Sequence, residues 1–207
     1  NQTNGKGQRG KKWISEPYKN TCISFYFRDL KPSEDTLLKI NLCTALTVLE
    51  VLKSYDIPDL KIKWPNDIMS GNKKIAGILI ETTLVKNKIN ELIIGIGLNV
   101  NQTDFDVIKG AISMKIIKNK SFNLHMISKQ FIEEFSSFDD KISNLSKDML
   151  IDKFYSHLFG IREKKKFAIG KKVVEGIILG ITDNYMLSIE LEKQVKHYDN
   201  GQIKLIL

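Results

Sequence analysis

Cysteine, histidine and proline are all scarce in this chain of 207 residues, which holds two, three and four of them. Cys22 and Cys43 alone cannot build a disulfide framework, and His125, His157 and His197 stand at no spacing that gathers zinc ligands. Long apolar runs are missing too. The longest, around Ile78 to Ile80 and Ile93 to Ile94, stop far short of the roughly 20 residues that span a bilayer. No secretory leader is visible, so the expected setting is the reducing cytoplasm with no membrane attachment. The chain opens on Asn1 within a polar stretch, where an upstream segment is expected.

What is present describes a globular protein. Apolar residues make up 42% and charged residues 27%, which excludes disorder and collagen-like repeats, and the length allows one or two domains with a sizeable core. Lysine and arginine outnumber aspartate and glutamate by 32 to 24, a net charge of +8 that suits nucleic acid, an acidic protein or a phosphate-bearing small molecule. The excess is clustered. Lys6, Arg9, Lys11, Lys12 and Lys19 face only Glu16 in the first twenty residues. Arg162, Lys164, Lys165, Lys166, Lys171 and Lys172 face Glu163 and Glu175, and this second cluster reads as a solvated face.

Thr21 to Arg28, rich in β-branched and aromatic residues, predicts a strand. Ser33 is placed to cap a helix beginning near Glu34, beyond Pro32, and apolar residues on nearly every face from Leu37 to Leu52 make that helix central and buried. Strands are expected at 60–64, 67–70, 74–83 and 91–101, with a hairpin turn at Gly71-Asn72. Gly95 and Gly97 inside the last strand mark a close approach of ligand or backbone. From Asn123 onward, Met126, Ile127, Phe131, Ile132, Phe135 and Phe138 keep helical spacing, and a second helix over 147–158 ends at Gly160. Short strands with turns at Asp183-Asn184 and Asn200-Gly201 then suggest a small β-barrel. The division expected is an α/β body over 1–159 and an all-β module over 160–207.

Two segments carry chemistry. Gly5, Gly7 and Gly10 fit G-x-G-x-x-G, which alone is compatible with a dinucleotide loop, a kinase loop or a solvent loop. A Rossmann loop opens a helix, whereas this one leads past Pro17 into a strand, and no kinase H-R-D or D-F-G follows. A glycine-rich loop stays, able to turn N–H groups, Lys6 and Arg9 toward a phosphate. The second segment is KWPND, where Trp64 and Pro65 form a rigid corner holding Lys63, Asn66 and Asp67 at a sheet edge. Lys74 begins the next strand of the hairpin, so a carboxylate and an ammonium share one site or form a surface salt bridge.

Four stretches, QTNGKGQRGKKW (Gln2 to Trp13), KWPND, KKIAGILIE (Lys73 to Glu81) and GIGLNVN (Gly95 to Asn101), resemble in order and spacing the biotin protein ligases, or biotin–acetyl-CoA-carboxylase ligases. The resemblance is to the monofunctional type without a visible DNA-binding domain, while a chain that opens mid-motif leaves open a helix-turn-helix in the upstream segment. It implies an α+β fold, a mixed β-sheet flanked by helices with a small C-terminal SH3-like β-barrel, lacking here the family's first strand and its biotin-contacting Ser-Thr stretch. It implies a reaction in which biotin attacks the α-phosphorus of ATP with Mg²⁺, giving biotinyl-adenylate, which then acylates a lysine of a biotin carboxyl carrier protein of acetyl-CoA carboxylase. In that resemblance Lys74 sits at the biotin carboxyl and adenylate phosphate. Asp67 orients or deprotonates the incoming amine or helps hold Mg²⁺. Gly5, Lys6, Gly7, Gln8, Arg9 and Gly10 fold over the ligands, and Gln2 lines the biotin side. Lys63, Asn66 and Ile78 join the binding set, Gly77 and Gly97 leave room for the ligand, and Asn99 points from a strand at the site's edge. Trp13 is a lid on the adenine or a core anchor.

The loop departs from the family's usual G-R-G-R, since Lys6 and Gln8 stand in the arginine places. Gln8 removes a charge where the adenylate is held, and the adjacent Arg9 is the replacement cation. A lipoate or octanoate ligase or transferase of the same fold is the nearest rival reading. A basic nucleic-acid-binding module is a remote one, because only Trp13, Tyr18 and Phe167 lie among the basic clusters. Homodimerisation through a sheet edge stays open.

Overall fold

The structure, a computed structural model, describes residues 2–28, 30, 35–86 and 88–207. In chain order the elements of the first part are β1 (Thr21–Arg28), α1 (Thr36–Lys53), β2 (Leu60–Lys63), β3 (Asp67–Ser70), β4 (Lys73–Val85) and β5 (Lys88–Leu98). They are followed by α2 (Met114–Lys118), α3 (Leu124–Ser136), α4 (Phe138–Asn144) and α5 (Lys147–His157). The second part contains β6 (Lys164–Ile169), β7 (Lys172–Ile181), β8 (Leu187–Leu191), β9 (Gln194–Tyr198) and β10 (Lys204–Ile206). The expected cap at Ser33 lies outside the described residues.

The first sheet runs β1-β5-β4-β3-β2. Every ladder in it is antiparallel, not mixed as expected, because β2 through β5 are joined by hairpins and a tight hairpin can only pair antiparallel strands. Strict alternation on β1 sends Phe25 and Phe27 to one face and Cys22 and Ser24 to the other. Phe25 stacks on Phe135 of α3 at 4.3 Å, and Phe27 lies 5.3 Å from Phe138 of α4. Helices therefore cover one face of the sheet, and the other face is left for a site.

Helix α1 contains neither glycine nor proline and is buried on nearly every face, from Leu38 and Leu42 to Val48 and Leu52. It packs on β2, β3 and β4 on one side and on α3, α4 and α5 on the other. The long helical period read from Asn123 to Phe138 is broken at Ser137 (φ −111°, ψ 25°), so Phe138 begins a new helix and stacks back on Phe135 at 4.9 Å. Asn123 and Ser146 cap α3 and α5 by accepting backbone N–H bonds.

The second sheet runs β10-β6-β7-β8-β9, again antiparallel, and among the described residues it is an open sheet, not a closed barrel. Its β8–β9 turn places Glu192 and Lys193 at positive φ without a glycine, which is why the sequence carried no turn signal there. Phe167, at the centre of the second basic cluster, is fully buried, while Lys164 and Lys165 pair with Glu175 and Glu163 at 2.7 and 2.6 Å. A stacking platform for nucleic acid is thus not what those residues build. Among the described residues no helix is long and apolar enough to cross a membrane.

Phe135 is buried between β1 and α4, so Phe135→Ala should cost about 3–5 kcal/mol, read as a lowered urea midpoint. A loss below about 1 kcal/mol would contradict this placement of the core.

Candidate functional site

Strand register draws one line of residues across the helix-free face. Lys63 on β2 is partnered with Asp67 on β3, Asp67 with Gly77 on β4, Gly77 with Gly97 on β5, and Gly97 with Cys22 on β1. By strict alternation Lys74 belongs on the other face, since Ile75 shares the parity of Gly77. A β-bulge between β3 and β4 breaks the alternation. Ile68 pairs with Ala76 but Met69 pairs with Lys74, so Ile75 enters the core fully buried and Lys74 is turned to the face of Asp67. The two side chains meet at 2.5 Å and are only about a third and a quarter exposed.

Over this line lies the glycine loop, folded as a tight hairpin. Gly7 donates to Lys11 O at 2.7 Å and Trp13 to Gly5 O at 2.9 Å, Lys6 bridges Lys12, and a short 3₁₀ turn over Gln8–Gly10 closes the tip. Arg9 and Gly10 both take positive φ there. Trp13 follows the loop and lays its ring on the two sheet glycines. A Cβ at Gly97 would strike the indole, and one at Gly77 would come within 3.0 Å of it and 2.9 Å of Lys74 Nζ. The bare backbone expected to leave room for a ligand here carries the Trp13 ring. Lys74 Nζ lies 5.3 Å from its ring centroid.

Loop, sheet face and the edge of the second sheet enclose a cleft of about 770 Å³, within the range of small-molecule sites. Gln2, Lys6, Gly7, Gln8, Arg9, Trp13, Lys63, Asn66, Asp67, Lys74, Gly77, Ile78 and Gly97 all line it. Gly5 and Gly10 line a second, neighbouring pocket between the loop and β4, and Gly5 packs against Trp13 and Gln2. Asn66 is committed to the scaffold as well: its amide donates to Ile78 O at 2.6 Å while Ile78 N donates to Asn66 O.

Asn99 does not join them. It is buried, donating to Ile112 O at 3.1 Å and Lys74 O at 3.4 Å, so it ties the start of β4 to the segment before α2 and is no part of the cleft. The sequence also gave no hint of Asn200, Gly201, Ile203 and Lys204, which reach the cleft from the second sheet. Period-2 alternation did offer a signal for Cys22, Ser24 and Glu81, which line the cleft from the sheet's bare face.

Seven cations line the cleft (Lys6, Arg9, Lys11, Lys12, Lys63, Lys74 and Lys204) against Asp67 and Glu81. Burial pushes the Lys63 ammonium below the ordinary lysine range. Lys204, Lys74 and Lys11 push the same way, and Asp67 opposes them. Such a site favours an anion that relieves the mutual repulsion. Among the described residues no three histidine, cysteine or acidic side chains gather for a metal. Mg²⁺ uses one or two carboxylates plus phosphate oxygens, and Asp67, one carboxylate at the cleft floor, fits as a single protein ligand to an ion that arrives on a phosphate chain.

The Biotin/lipoate A/B protein ligase family model matches residues 1–99, a span holding all four site motifs up to Asn99. The biotin protein ligase of Aquifex aeolicus, solved in complex with biotin and ATP, superposes with a TM-score of 0.79 at 30% identity, covering 99% of this chain and 85% of that one. The chain belongs to this ligase family. Among curated relatives, the bifunctional ligase/repressor BirA of Salmonella typhimurium is 28% identical over 99% of this chain, and the biotin–[acetyl-CoA-carboxylase] ligase of Mycobacterium tuberculosis 25% over 92%. The chain spans 64% of the BirA length and 71% of the mycobacterial ligase.

Within this ligase fold Gly97 and Gly95 should respond differently to a methyl group. Gly97→Ala displaces the indole, lowering stability by about 1–3 kcal/mol and red-shifting tryptophan emission. Gly95→Ala meets its nearest atoms at 3.6 Å and should leave emission unchanged. Equal effects would refute the packing described for Trp13.

Proposed function

We propose that this chain is an ATP-dependent biotin protein ligase. In the first step a biotin carboxylate oxygen bonds to the α-phosphorus of ATP and the bond to pyrophosphate breaks. In the second, a lysine amine of a biotin carboxyl carrier protein bonds to the acyl carbon of biotinyl-adenylate, AMP leaves, and the amine's proton passes to a base. The observation that carries this reading is the Lys74–Asp67 pair beneath a cationic glycine loop in a cleft of about 770 Å³.

Lys74 neutralises the carboxylate and phosphate oxygens that must approach each other although both are negative. An incoming anion competes with Asp67 for that ammonium, and the carboxylate so freed takes up the proton of the acceptor lysine. A proton acceptor is needed, since a lysine of pKa about 10.4 is less than about 0.1% neutral at pH 7. Lys6 and Arg9 face the phosphates, and Lys63 supplies a further charge at the end of the line. Trp13 Nε1 is buried with no hydrogen-bond partner among the described residues, a donor that a ligand acceptor would satisfy. Mg²⁺ arriving with ATP would meet Asp67 and add charge neutralisation at the phosphates. Residues 1–159 act as the catalytic unit and 160–207 as the module that closes the cleft.

Biotin-dependent exchange of labelled pyrophosphate into ATP tests the first step. The protein should catalyse it, and Lys74→Ala, folded by circular dichroism, should lose about 100-fold or more. Exchange that survives Lys74→Ala unchanged would overturn the assignment of Lys74.

A further inference from the structure

At the corner between β2 and β3 the first sheet holds Asn66 through its two hydrogen bonds to Ile78, and it leaves Trp64 and Pro65 to be held from elsewhere. Residues 64–66 lie between β2 and β3 and take no part in the ladder that pairs Lys63 with Asp67. Trp64 and Pro65 are held from the second sheet. Trp64 Nε1 donates to the backbone oxygen of Tyr185 at 2.8 Å, and the Tyr185 hydroxyl donates to Pro65 O at the same distance. One residue thus grips the corner from both sides.

Tyr185 is itself fixed for this task. It sits in the β7–β8 turn at φ 61°, held by its N–H bond to Thr182 O at 2.8 Å, and its ring lies 6.1 Å from Phe154 and 6.5 Å from Trp64. Burial of the phenol pushes its ionisation well above the ordinary tyrosine value, so the hydroxyl stays a donor across the working pH range. A non-glycine residue at positive φ is uncommon, and here the turn places side chain and carbonyl on the same target.

We propose that Tyr185 is a positioning residue of the ligase reaction, setting the place of Asp67 against Lys74 through its two hydrogen bonds to the Trp64–Pro65 corner. The inference rests on the ligase reading given above. Asp67 stands two residues beyond Pro65 as the first residue of β3; the ladders to Lys63 and Gly77 fix its backbone position, and the corner sets the direction from which the chain enters it. The second sheet thereby becomes part of the chemistry besides being part of the cleft wall.

Tyr185→Phe in the full chain keeps the ring and removes only the donor. Its kcat for biotin transfer to the carrier should fall about tenfold, the scale of one hydrogen bond, with the KM for biotin unchanged. In an Asp67→Asn background the same substitution should change kcat less than about twofold, because the carboxylate it serves is gone. Equal factors in both backgrounds, or an unchanged kcat, would overturn the proposal. Deuterium uptake over residues 63–70 needs no substrate: Tyr185→Phe should quicken it there and leave α1 unchanged, and unaltered uptake would also overturn the clamp. A wild-type protein without biotin-dependent pyrophosphate exchange would defeat the ligase reading separately, while the deuterium measurement still decides the clamp.

Discussion

The contact between the Trp13 indole and the bare backbone of Gly97 and Gly77 decides where everything else in the cleft lies. A side chain at Gly97 would occupy the space of the ring, so the loop that ends at Trp13 could not come down onto the sheet. With the ring in place, the hairpin of Lys6 to Lys12 is delivered over Lys74 and Asp67, and its cations face the cleft. Two missing methyl groups on neighbouring strands thus position a cationic loop over the sheet.

Stability alone does not explain the arrangement under that ring. The Lys74–Asp67 pair is partly exposed, and pairs of that kind contribute about 0–1 kcal/mol, while the bulge that brings Lys74 to the pocket face forfeits regular ladder pairing. A lysine left on the alternating face would have kept the ladder intact. Among the departures from local regularity, the bulge that turns Lys74 and the positive φ of Arg9 and Gly10 fall at the cleft itself. The second sheet supports the same ground, through Asn200 bonded to Gln8 at 2.6 Å and Arg9 packed over Gly201. Gln8 accepts the bond from Asn200 with its side-chain oxygen, which ties the loop tip to the second sheet.

Much of this was legible in the residues. The β-branched run at Thr21–Arg28, the all-round apolar helix before Ser54 and the Gly71-Asn72 turn each combine a local preference with the tertiary outcome, so they emerged nearly as expected. The motifs at Gly5–Gly10, Lys63–Asp67 and Lys74 were also readable, because each is continuous in sequence. What escaped notice is non-local. No spacing announces the bulge at Ile75, the cross-sheet line from Lys63 to Cys22, the burial of Asn99 against Ile112, or the reach of Tyr185 and Asn200 across more than a hundred residues. The break at Ser137 was hidden because the phenylalanines on both sides kept one apolar period while the backbone did not.

In the function proposed for this chain, the cleft between the two sheets recognises biotin. Calorimetric titration of biotin, with lipoate as the control and with and without a non-hydrolysable ATP analogue, tests it most directly. Saturable binding of biotin, with no heat from lipoate, is the predicted result, since a ureido ring offers polar groups that a thin acyl chain cannot match. Lipoate binding as tightly as biotin, or no binding of either acid, would contradict it.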